Sequence, residues 1–169
     1  MAEELRAAES ADDEYDESQP DVVTDEMENM YLNFCLDEST YSIEIRYVQQ
    51  IVGMQEINEM PEMPPYMKGF INLRGEIIPV ISMRIRFMKQ EIEYTDRTCI
   101  IVTQSGDHKT GLIVDAIKET LTIEPEDIAP PPSTGIHASP YVSGVAKLDS
   151  GTSVMIDLKL LFRDTDIPQ

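Results

Sequence analysis

Imidazoles and thiols are scarce in this chain of 169 residues, which has 2 histidines and 2 cysteines. His108 sits in a turn-like stretch with Gly106 and Asp107, and His137 in a segment rich in Pro, Ser and Gly. Neither has metal-ligand spacing to a cysteine or to the other histidine, so no metal site is expected. Without a CxxC pair, Cys35 and Cys99 do not form a redox or metal motif. Each lies in an apolar, strand-like run and is expected to be a small buried hydrophobe. Basic charge is also short: 13 Lys and Arg stand against 32 Asp and Glu, a net charge of −19. Phosphate backbones and anionic membrane surfaces both select basic faces, so neither is an expected partner. The N-terminus has no basic region followed by an apolar stretch, and no run approaches the length of a membrane helix. A cytoplasmic location without direct membrane insertion is therefore expected. There is no phosphate-cradling glycine loop, no G-x-S-x-G elbow and no paired nucleophile and base, which argues against an enzyme and a cofactor.

What the chain does have is uneven. Residues 1–28 hold 12 Asp or Glu against one Arg, a net of −11, with few apolar residues and no useful period. That composition predicts a disordered acidic tail over 1–28. From Met30 onward the pattern is short and β-like. Met30–Leu36 and the alternating Tyr41-Ser42-Ile43-Glu44-Ile45 predict strands on either side of a turn. Arg46–Val52 predicts one or two helical turns, with Val48, Ile51 and Val52 on one face. Thr98–Gln104, Thr110–Ile117 and Lys118–Ile123 read as three further strands. Tyr141–Asp149 and Ser153–Leu158 read as a hairpin, followed by a helical turn at Lys159–Phe162 and a frayed end over 164–169. Many short strands with regular turn signals predict an all-β barrel fold. Each half, before and after about residue 90, holds enough strands for a small barrel, yet neither alone would bury much core. They are expected to share a core or to exchange strands.

The densest information lies in residues 64–87. Prolines break the approach, Gly69-Phe70-Ile71-Asn72-Leu73 and Glu76–Ser82 form two apolar runs, and Arg74-Gly75-Glu76 joins them as a tight hairpin turn. Pro79 lacks a ladder donor and predicts an edge, bulge or bend. Met83–Phe87 reads as a short helix. Lys68, Arg74, Arg84 and Arg86 concentrate positive charge here, and Met60, Met63, Met67, Met83 and Met88 cluster around the stretch. Methionine adapts to irregular partner surfaces and also fills core gaps. A binding role suits this pattern better than catalysis. A β-barrel enzyme would need a pocket with converging polar groups, and a free-standing peptide-binding barrel would differ from other adaptors only in its partner.

The string from Pro65 to Gly75, followed by Ile77–Ile81 and Arg84–Phe87, resembles the signature of the CheW family of bacterial chemotaxis coupling proteins. The resemblance extends from about Tyr31 to Phe162. It implies a CheW-like domain over 29–163, made of two intertwined SH3-like five-stranded β-barrels, roughly 29–90 and 91–163, around a shared core. It also implies a non-enzymatic adaptor that joins the CheA regulatory domain to the cytoplasmic tip of methyl-accepting chemoreceptors, and so is recruited to receptor arrays. With no kinase or receiver segment in view, the stand-alone adaptor is expected over the CheW-like part of a CheV-type protein. By resemblance, the receptor groove lies between the barrels. Val48 and Ile51 supply apolar contact there, and Lys68 and Arg74 supply charge. Gly69 allows close backbone approach, and Gly111, Ile117 and Thr120 come from the second half. Arg74 carries two readings, a fork to a partner carboxylate or carbonyl and an internal clamp on its own hairpin. Thr98 and Cys99 match a barrel-to-barrel contact with the kinase.

Overall fold

The computed structural model describes residues 27–135 and 137–163. The expected acidic tail lies outside the described residues up to residue 26, as does the expected frayed end over 164–169. The first strands are β1 (Met30–Leu36) and β2 (Ser39–Glu44), an antiparallel pair turning at Asp37 (φ 56°) and Glu38. A single 3-10 turn, Ile45–Tyr47, then delivers β3 (Val48–Gly53). The helix expected over Arg46–Val52 is thus mostly strand. Val48, Ile51 and Val52 are β-branched and favour extended backbone, and a neighbouring strand is present to take the hydrogen bonds. They do not share a face: Ile51 is 44% exposed, while Val52 packs on an interior cluster.

β4 (Met67–Leu73) and β5 (Glu76–Ser82) form the expected hairpin. Its two loop residues, Arg74 at φ 53° and Gly75 at φ 86°, both take positive φ, the two-residue turn whose twist matches its strands. Asn72 Oδ1 accepts from the Gly75 N–H at 3.1 Å. Pro79 stands one residue before β5 begins its parallel pairing with a second neighbour at Val80, where a missing donor costs no ladder bond on that side. Ser82 Oγ then accepts from the Ile85 N–H at 3.2 Å and starts α1 (Met83–Arg86).

The second half repeats this plan. β6 (Cys99–Ser105) and β7 (His108–Val114) form a hairpin, β8 (Ala116–Thr122) follows, and a 3-10 turn leads to the two-residue β9 (Ile128–Ala129). β10 (Val142–Leu148) and β11 (Gly151–Ile156) form the next hairpin, and Asp157 Oδ1 accepts from the Leu160 N–H at the start of α2 (Leu158–Arg163). One sheet has the order β8-β1-β2-β11-β10-β9 and the other β3-β6-β7-β5-β4. A bridge from Asn58, just beyond β3, to Phe70 of β4 closes the five-stranded sheet, and β9 against β10 does the same for the other. The fold is all-β, two small SH3-like barrels built on sheets of five and six strands, with short helical turns.

The cut at about residue 90 therefore separates repeats, not barrels. Each half donates its first hairpin to the barrel built mainly by the other: β1–β2 pairs with β8 and β11, and β6–β7 pairs with β3 and β5. The exchange follows from the 3-10 turn after β2 and the bend at Asp115 after β7, which send β3 and β8 into the opposite sheet. Burial mirrors this. One cluster of Ile71, Ile78, Val80, Ile100, Val102 and Ile113 fills one barrel, and a smaller one of Ile123, Ala146 and Met155 lies in the other. The largest cluster draws on both sheets, with Phe34, Tyr41 and Ile43 against Ile81, Ile101 and Leu112. It is the shared core, and Tyr41, Phe34 and Phe87 are its largest fully buried side chains.

Candidate protein-binding site

The registers reveal a relation among the residues expected to form the receptor groove. Val48 pairs with Thr103 and Ile51 with Ile101 on β6, while Ile117 pairs with Phe34 and Thr120 with Leu32 on β1. These are matching positions of the two repeats, so β3 and β8 are counterparts. Val48 and Ile117 are both half-buried and pack against the shared core. Ile51 and Thr120 are exposed further along the same two strands. Val48 and Ile117 thus stand in matching places on the shared core, with Ile51 and Thr120 in matching exposed places on the same strands.

The other expected groove residues lie away from β3 and β8. Gly69 (φ 137°) is buried, and a Cβ there would lie 2.1 Å from the Asn58 carbonyl oxygen. The close approach it allows is to its own chain, at the bridge that closes the barrel. Gly111 is also buried, where a Cβ would meet Ile100 and Val80 side chains at 2.7 Å. Lys68 is half-buried and paired with Glu91, whose hydrogen bond pushes its ammonium pKa up. With Ile57, Met60, Met63 and Tyr94 it lines a cleft of ≈ 420 Å³. Met67 and Met83 are core, whereas Met88 is 85% exposed, so the methionines divide between both readings. Arg74 is exposed at the hairpin tip, and no hydrogen bond or ion pair engages its side chain among the described residues. The clamp reading finds no partner there.

A different arginine is the clamp. Arg84, with a side chain 10% exposed, donates from Nη1 to Asp37 Oδ1 at 2.8 Å and Asp115 Oδ2 at 2.6 Å, and from Nε to the Gln90 carbonyl at 2.6 Å. Asp115 also orders the β1–β2 turn, since its Oδ2 accepts from the Asp37 N–H at 2.8 Å. The Arg84 hydrogen bond holds the Asp37 carboxyl below its ordinary pKa. These groups tie the β1–β2 turn and α1 to the β7–β8 bend, where the chain passes from one barrel to the other. Nothing in the sequence marked Arg84 apart from its neighbours, because its partners lie far off in the chain.

Thr98 and Cys99, expected to meet a kinase, are 7% and 9% exposed. Burial pushes the Cys99 thiol pKa up, and that of half-buried Cys35 as well. β6 is flanked by β3 and β7, which accounts for this burial. Thr98 Oγ1 accepts from the Thr95 N–H at 2.8 Å and so holds the exposed turn at Asp96 and Arg97. His137 contacts the shared core, its Nε2 2.8 Å from the Tyr41 hydroxyl, and burial lowers its pKa while burial raises that of Tyr41 to about 12. Among the described residues no group of three or more His, Cys, Asp or Glu side chains converges as a metal site, and no helix is long and apolar enough to cross a membrane.

Comparison with known proteins places this geometry. Residues 30–166 match the family model described as the CheW-like domain. The chain is 33% identical to chemotaxis protein CheW of Treponema pallidum over 154 residues, covering 88% of this chain and 89% of that one. It is 30% identical to chemotaxis protein CheW of Klebsiella aerogenes over 138 residues, covering 81% and 83%. Its structure is similar to the crystal structure of scaffolding protein TtCheW from Thermoanaerobacter tengcongensis, with a TM-score of 0.71 and 35% identity over 76% of this chain and 88% of that one. With the family match, the relatives and the shared fold in agreement, the chain belongs to the CheW-like family of chemotaxis scaffold proteins.

Proposed function

We propose that this chain is a non-enzymatic adaptor that couples the CheA regulatory domain to the cytoplasmic tips of chemoreceptors, and that it is drawn to membrane-associated arrays through those partners. The observation that carries the reading is the matched placement of β3 and β8. Val48 and Ile117, matching residues of the two repeats, are half-buried on the shared core, with Ile51 and Thr120 exposed on the same two strands, and the receptor groove is taken to run between those strands. A receptor tip is a helical hairpin, and a helix docks by laying spaced apolar anchors into such a groove. Arg74, charged and unpaired at the hairpin tip, supplies a directional contact. Gly69, Gly111 and Lys68 support the surface by shaping the barrel and its cleft. The kinase contact is assigned to the region of Thr98 and Cys99. Their side chains are buried, so the partner meets the turn at Asp96 and Arg97 that Thr98 holds.

The test is a pair of titrations, against an isolated CheA regulatory domain and against a receptor-tip fragment. Saturable binding to each is the expected result. Absence of binding to both, with the far-ultraviolet spectrum of the folded protein intact, overturns the adaptor reading.

A further inference from the structure

Two tyrosines hold matching places in the two barrels. Tyr66 precedes β4 and Tyr141 precedes β10. The Tyr66 carbonyl accepts from the Ser82 N–H at 2.8 Å, and the Tyr141 carbonyl from the Asp157 N–H at 2.9 Å. Ser82 and Asp157 open α1 and α2 in the same way. Each tyrosine leads a strand with a register shift and a glycine pressed against a backbone carbonyl, Gly69 in one and Gly144 in the other. Between these two rings, one from each barrel, lies the guanidinium of Arg86. Its Cζ is 4.7 Å from the centroid of Tyr66 and 4.7 Å from that of Tyr141. The Tyr141 hydroxyl also donates to the Arg86 carbonyl at 3.0 Å. The matching residue of α2 is Leu161, which is fully buried, so the repeat departs from symmetry by placing a cation at this one position.

A guanidinium is flat, delocalised and weakly hydrated, so it can stack on two aromatic faces at once. Here the two faces belong to different barrels. We propose that Arg86 is the positioning residue that pins the relative orientation of the two barrels, and that through this pin a partner docked across both barrels affects binding at the turn of Asp96 and Arg97. The first half rests on the geometry of Arg86, Tyr66 and Tyr141. The second rests on the adaptor reading above.

Both halves can be measured. Spin labels on Ile77→Cys in β5 and Thr152→Cys in β11, two exposed sites in different barrels, report the inter-barrel distance in a background of Cys35→Ala and Cys99→Ala. Arg86→Ala is expected to broaden that distance distribution. Arg86→Lys, which keeps the charge and loses the flat face, should fall between. A distribution as narrow as that of the unsubstituted protein overturns the pin. If Arg86→Ala does not fold, Tyr66→Leu carries the same test from the half-buried side, with the same two outcomes. The second readout is the affinity for the CheA regulatory domain with and without saturating receptor-tip fragment. Coupling between two sites typically changes affinity by roughly 5–150-fold. Arg86→Ala should bring that ratio to one while each separate affinity is retained. An unchanged ratio, or a ratio of one in the unsubstituted protein, overturns the communication. If the unsubstituted protein binds neither partner, the adaptor reading fails while the distance measurement still decides the pin.

Discussion

Gly69 and Gly144 stand where a strand meets a carbonyl of its own chain, and a methyl group at either would sit 2.1 Å or 2.6 Å from that oxygen. Gly69→Ala is expected to destabilise the fold by about 1–3 kcal/mol, the usual cost of forcing a side chain into such a conformation, read as a lower urea midpoint with an unchanged slope. Arg84 offers a second residue-scale test. Arg84→Ala removes the partner of Asp115, whose side chain is 17% exposed, while Asp37 at 48% stays solvated, so it should cost about 1–3 kcal/mol in the same assay. The linkage has a definite sign. Asp37 has a lowered pKa in the folded protein, so its contribution is present above its unfolded pKa and is lost as pH falls through the folded value. Asp37→Asn should therefore be less stable than the parent at neutral pH, and the difference should shrink in acid. A difference that stays constant with pH would rule out this linkage. The sequence motif singled out Gly69 and Arg74 but not the direction each one faces. Glycine at a close approach looks the same whether the neighbour is a partner or the chain itself, and only the register at Asn58 distinguishes them.

At the scale of the element, the β4–β5 hairpin shows a local cost. Arg74 holds positive φ, a conformation that Asn tolerates better than Arg, and Asn-Gly is the preferred pair for this turn. Arg74→Asn is expected to raise stability by about 0.5–1 kcal/mol in thermal or urea unfolding, while weakening receptor-fragment binding. Arg74→Glu should weaken receptor binding more than kinase binding, by comparison of two titrations. If both bind equally well, Arg74 is not a receptor contact. The hairpins and α1 were legible from turn residues and strand patterns because their determinants are contiguous. β3 was not. Its apolar residues fit a helical period as well as a strand, and what decides for the strand is β6, more than forty residues away in sequence, which supplies the hydrogen bonds. The same distance hid the fact that β3 and β8 are counterparts.

For the whole molecule, the barrels were legible in number and strand content, and the shared core followed from the small size of each half. The exchange of hairpins was legible only as an alternative, because nothing in a strand's own residues says which half it will pair with. It has a direct test. Residues 29–90 and 91–163, expressed separately, should each lack a cooperative unfolding transition, since each has given its first hairpin away and holds only part of the shared core. Mixed, they should regain the spectrum and melting transition of the intact chain. A cooperative transition from 29–90 alone would mean that its strands close without the exchange. The exchange also sets a timetable. A ribosome releases β1 and β2 early, yet β8 begins at residue 116 and β11 at residue 151. At about 5–20 residues per second, the first hairpin waits roughly 5–20 s for its parallel partner. Both its edges are unpaired until β8 emerges and one stays so until β11 does, and an unpaired edge is a template for other chains. For this protein the exposed moment is its birth on the ribosome, before the second repeat arrives to shelter the first.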